Sequence, residues 1–83
     1  MKPADDTRWY AKTNYIDPAR ATGASQVSIR AGDLHHAMGY TNRLPAVIAA
    51  LGALKFQSLA NVELLRIDGP LASTTTTLTF GIL

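Results

Sequence analysis

Cysteine is missing from all 83 residues, which excludes disulfides and thiolate metal ligands. Long apolar runs are missing too. No stretch approaches the ~18–20 consecutive apolar residues of a membrane span, and MKPADDTRWYAK at the start lacks the charged-then-apolar plan of a signal peptide. The expectation is a metal-independent, cytoplasmic protein with no membrane contact. Acidic residues are scarce, six in all, and no paired-carboxylate arrangement for acid–base work stands out among them. No spacing argues a Ser–His–Asp set, and AGDLHH is no phosphate-cradling loop. The two histidines, His35 and His36, are adjacent. Neighbours on a helix point about 100° apart, so both cannot ligate one metal from one face. Asp33 shares a face with His36, but a third ligand is wanting. Neither catalysis nor a cofactor nor a metal is expected.

Apolar residues are what the chain has in quantity, at 47%, against 17% charged. A chain of this length holds one domain and buries roughly 60% of its unfolded surface, so this apolar content either fills the core well or leaves surface for a partner. The net charge of +2 and a pI of 9.3 are compatible with nucleic acid without being diagnostic of it.

Residues 1–25 read as an N-terminal arm or a first helix. Asp17-Pro18 offers a cap followed by proline at a first helical position, and Trp9 is expected to anchor the segment on the core. ATGAS, residues 21–25, reads as a loop. QVSIR, 26–30, alternates polar and β-branched residues and reads as a short strand. AGDLHHAM, with Leu34, Ala37 and Met38 on one side, reads as a helix of about two turns, closed by Gly39 where a left-handed residue is wanted. A longer helix runs from Arg43 to Leu54. Thr41 or Asn42 would cap it, Pro45 is tolerated in its first turn, and Leu44, Val47, Ile48, Leu51 and Leu54 form its apolar stripe. QSLAN reads as a loop. VELLRI, 62–67, and TTTTLTFGI, 74–82, read as the strands of a hairpin turned at Gly69-Pro70. Alternation sets Thr74, Thr76, Leu78, Phe80 and Ile82 toward the core, and the remaining threonines with Gly81 toward solvent.

The stretch DLHHAMGYTNRLPAVIAAL, followed by VELLRIDGPLASTTTTLTFGI, resembles the winged helix-turn-helix superfamily of DNA-binding domains. Leu34, Met38, Gly39, Tyr40 and Ile48 have about the spacing of the two crossing helices, and the hairpin stands where a wing would be, with its tip near residues 68–73. The resemblance implies an α+β fold over residues 26–83: a short strand, two helices and a C-terminal β-hairpin wing. It also implies binding of double-stranded DNA, as a transcriptional regulator or as a DNA-binding module of a larger assembly, with a homodimer or a partner protein expected. Thr41, Asn42 and Arg43 would lie at the start of the recognition helix, with Arg30, Lys55, Arg66, Thr75 and Thr77 available to phosphates.

One feature runs against that reading. The face of the second helix opposite its leucines carries Ala46, Ala49, Ala50 and Ala53, and alanine can recognise little beyond a thymine methyl. Such a face suits close helix packing. The competing expectation is therefore a winged-helix-like protein-interaction or dimerisation module that touches no nucleic acid.

Overall fold

A computed structural model describes residues 3–70 and 73–83. The N-terminal segment is helical almost throughout: α1 spans Pro3–Ala11, a π-helical turn spans Lys12–Ile16, and α2 spans Asp17–Ala21. Pro18 explains the widened turn. Proline has no N–H, and its ring crowds the carbonyl four residues back. Just ahead of it the backbone shifts to a five-residue bond, Asp17 N–H to the Lys12 carbonyl, which lets the helix pass the proline without ending. Asp17 is thus inside helical backbone (φ −61°, ψ −43°) and caps nothing. Its carboxylate instead pairs with Lys12 at 3.0 Å and with Arg20 at 3.7 Å. Trp9 does not anchor the segment. It is 47% exposed, with the Lys12 ammonium over its ring, while Ala11 and Ile16 enter the core and Tyr10 and Tyr15 pack against it.

β1 (Gln26–Arg30) leads directly into α3 (Ala31–Ala37). Gly39 takes the expected left-handed conformation at φ 70°. Of the three residues expected on the inner face of α3, Leu34 is fully buried and Met38 half-buried, but Ala37 is exposed. The next helix, α4 (Leu44–Gly52), stops short of the expected Leu54. Ala53 is extended (φ −79°, ψ 149°) and serves as the N-cap of a further helix, α5 (Leu54–Ala60). QSLAN is accordingly helix up to Ala60, not loop. The break re-aims the chain so that Phe56 points inward and meets Phe80 edge-on, ring centroids 5.2 Å apart. Leu54 falls off the apolar stripe as a result and is 77% exposed. Neither Thr41 nor Asn42 caps α4, because the chain approaches through a left-handed Asn42 (φ 54°) and the N-cap position falls to Arg43.

β2 (Val62–Asp68) and β3 (Thr77–Ile82) complete a three-stranded antiparallel sheet in the order β1-β3-β2. The central β3 pairs along both edges, Val27 opposite Phe80 on one side and Leu64 opposite Phe80 on the other. Thr76, Leu78 and Phe80 are buried, as the alternation expects. Thr79 departs from it. It lies on the other side of the sheet, yet it is only 1% exposed, sharing a 3.0 Å hydrogen bond with Ser28 across the β1–β3 pair. Thr74 and Thr75 precede the strand in a turn.

The core is one cluster between the sheet and the helices, centred on Ile16, Ile29, Leu34, Leu51, Phe56, Leu78 and Phe80. α1 crosses α4, and α3 packs beside α4. The Cα radius of gyration, 11.6 Å, matches the ~12 Å expected of one compact body of this length. The N-terminal helix therefore belongs to the same body as the rest.

Candidate nucleic-acid or protein interface

The turn between α3 and α4 is held from two sides, by α1 and by His35 of α3. Tyr40 donates its hydroxyl hydrogen to the Pro3 carbonyl and lies 3.3 Å from Thr7 Oγ1, which ties the turn to the start of α1. The His35 ring stands edge-on to Tyr40 at 6.0 Å. Its Nε2 accepts the backbone N–H of Arg43 at 3.1 Å. That bond satisfies the N–H of the N-cap residue, one of the donors a helix start leaves free, while no N-cap side chain bonds into α4. Nothing in the spacing of the histidines signals this role, because it depends on how α3 and α4 cross.

With the turn fixed this way, Thr41, Asn42 and Arg43 are all exposed at the start of α4. The Arg43 guanidinium lies over the Tyr40 ring at 5.8 Å, within range for a cation–π contact. Arg43 and Arg30 are the basic side chains without a carboxylate partner among the described residues. The others are engaged: Arg8 and Lys55 with Asp5, Lys12 and Arg20 with Asp17, Arg66 with Asp68. Lys55, one of the expected phosphate contacts, sits 3.3 Å from Asp5. That hydrogen bond, opposed in part by desolvation and helped by Arg8, holds the Asp5 carboxyl below the usual carboxylate range. Arg66 is committed to Asp68 at 2.8 Å.

In the β2–β3 connection, the expected wing tip includes Leu71 and Ala72, which lie outside the described residues. Thr75 is exposed and shares a hydrogen bond with Ser73. Thr77 is half-buried and donates its hydroxyl to the Thr75 carbonyl. Both hydroxyls are thus partly used in holding the turn.

The four alanines of the candidate interaction face do not share one environment. Ala50 is 3% exposed, and Arg8 of α1 donates its Nε–H to the Ala50 carbonyl at 3.1 Å. Ala53 is half-buried at the break, whereas Ala46 and Ala49 are exposed together with Pro45. α1 therefore packs where α4 carries Ala50. The side of α4 left open bears no side-chain hydrogen-bonding group.

Among the described residues there is no group of three or more His, Asp or Glu side chains able to hold a metal ion, and no helix long and apolar enough to cross a membrane. Neither a protein-family model, nor a curated protein, nor a solved structure matches this chain.

Proposed function

We propose that this chain is a small winged-helix module that binds double-stranded DNA through the α3–α4 turn, gripping phosphates more than reading bases. The observation that carries the reading is the joint exposure of Thr41, Asn42 and Arg43 at the start of α4, with the Arg43 charge free of any carboxylate among the described residues. The order of elements supports it, with α5 added after the helix pair: helix, strand, α3 and α4, the short α5, then a hairpin whose second strand lies between the other two. Pro45, Ala46 and Ala49 on the open side of α4 would let the helix approach the duplex closely, but they can discriminate few bases. Sequence preference is therefore expected to be slight, and Arg30 is the second basic side chain ready for a phosphate.

The test is fluorescence anisotropy of a labelled duplex across a salt series. Affinity should fall steeply with salt through counterion release. Arg43→Ala should weaken binding to every duplex and lower the salt slope by about 1 if the contact is to phosphate, or cost ~1–3 kcal/mol of preference at one position if it is to a base. An Arg43→Ala protein that binds as wild type does would remove this residue from the site. No binding even at low salt would overturn the reading.

A second reading rests on a different observation. Lys55 and Arg66 are held by Asp5 and Asp68, and the open side of α4 is purely apolar. Those features suit a protein-interaction module, and failure of the DNA titration would make the Pro45–Ala49 surface the one to probe.

A further inference from the structure

The two edges of the sheet are built differently. On β2, Leu83 N–H donates to the Asn61 carbonyl, so by alternation the backbone groups of Val62 and Leu64 point away from β3. That edge is obstructed. Gln57 Oε1 accepts the Leu64 N–H at 3.2 Å, and just ahead of the strand the Arg20 guanidinium donates to the Ala60 carbonyl at 2.8 Å. The register shifts at Leu65 in a bulge, and Glu63, Arg66 and Asp68 place charges of both signs along the strand. These are devices that keep an edge strand from pairing with another chain.

β1 has none of them. Ile82 N–H donates to the Ser25 carbonyl and Ala31 N–H to the Thr76 carbonyl, so Ser25, Val27, Ile29 and Ala31 face β3. The backbone groups of Gln26, Ser28 and Arg30 point outward. All three residues are exposed, and no group among the described residues hydrogen-bonds their N–H. The strand contains no proline, no lysine and no bulge, and its one charge, Arg30, stands at its end.

We propose that β1 is a pairing edge, and that its occupant is β1 of a second copy, antiparallel about a two-fold axis through Ser28. Three features select this partner. In that register Ser28 exchanges both backbone bonds with its counterpart, and Arg30 N–H meets the Gln26 carbonyl at each end. Each Arg30 side chain falls beside a neutral Gln26 and away from the other Arg30, so no like charges meet. On the inner side, half-buried Val27 comes opposite the partner's Ile29 and extends the apolar layer. Pairing β1 with β2 of another copy would instead be head-to-tail and open-ended, and it would meet the bulge and the Gln57 plug. A five-residue pairing is a small interface, below ~1,200 Å², so the dimer dissociates on dilution.

Sedimentation velocity of the full chain over a range of concentrations tests this, together with hydrogen exchange. Wild type should show a monomer–dimer equilibrium, with the Ser28 and Arg30 amides gaining protection as concentration rises. Gln26→Lys should weaken the dimer about tenfold, because it sets like charges opposite each other at both ends. Adding Arg30→Glu to the same chain should restore it. Both side chains face solvent on the outer side of the sheet, and a circular dichroism melt of each variant checks that it folds. A chain monomeric at every concentration, a dimer indifferent to Gln26→Lys, or a weakened dimer that Arg30→Glu does not restore would overturn the proposal.

Discussion

Asp5 shows how much a single side chain joins in so small a protein. It meets Lys55 at the start of α5 and Arg8 within α1, and Arg8 in turn reaches the Ala50 carbonyl. The Asp5 carboxylate thus joins α1 to α5 directly, and α4 through Arg8. Because its folded-state pKa is lowered, Asp5 contributes stability that is present above its unfolded value and lost as pH falls through the folded one. Asp5→Asn should therefore destabilise the protein at neutral pH. The gap between mutant and wild type should close as denaturation curves are taken down through the acidic carboxylate range. A gap that persists in full at the acid end would show that Asp5 acts through something other than its charge. Tyr15 shifts the other way. Burial first, then Tyr10 and Asp33, raise its phenol above the usual value, so its contribution is intact below the unfolded phenol pKa and fades as alkaline pH passes the folded one.

At the level of elements, the approach of α3 to the turn before β3 depends on one glycine. The Gly32 N–H donates to the Thr74 carbonyl at 3.2 Å, and a Cβ at position 32 would lie 2.8 Å from Thr74 Cβ and 2.9 Å from Thr74 Cα. Alanine gains about 1 kcal/mol over glycine inside a helix, but forced overpacking costs about 1–3 kcal/mol. Gly32→Ala should thus lower stability by about 1 kcal/mol net, read as a fall in the urea midpoint. A stabilised variant would show that the turn at Thr74 moves aside freely. α4 and α5 make a related point about element boundaries. The leucine spacing continues from Leu44 to Leu54, yet the helix breaks at Ala53, because Phe56 reaches Phe80 only from a re-aimed axis. Local pattern proposed one helix where packing made two.

For the whole molecule, stability rests on one apolar cluster, with Phe80 on the central strand touching both the helices and its neighbouring strands. Phe80→Ala should cost about 3–5 kcal/mol. A domain of this length has only ~4–12 kcal/mol in all, so equilibrium urea unfolding should show the variant at the margin of folding. A loss under about 1 kcal/mol would mean that the cluster repacks around the gap. Dimerisation through β1 and DNA contact by Arg43 at the α3–α4 turn share only Arg30, so the Gln26→Lys and Arg43→Ala variants test them separately.

Much of this architecture was legible in the residues. β-branched alternation marked β1 and β3, the inward register of Leu78 and Phe80 followed from period two, and Gly39 stood where the chain needed a left-handed residue. The exposed trio Thr41, Asn42 and Arg43 was legible as well, since polar side chains between two apolar stripes have nowhere to go but outward. What the residues left open depended on distant partners. Pro18 looked like a helix start, and a π turn carried the helix past it. His35 accepts the Arg43 N–H ahead of α4 because α3 brings it there. Lys55 looked free until the fold set Asp5 beside it, whereas Arg66 pairs with Asp68 only two residues along its own strand. Local sequence determined which segments are strand or helix and which face is apolar, because those depend on near neighbours. Tertiary structure alone decided that Lys55 meets Asp5, that Ala50 is the alanine α1 covers and that the β1 edge is left unpaired among the described residues, because each of these depends on residues far apart in the chain.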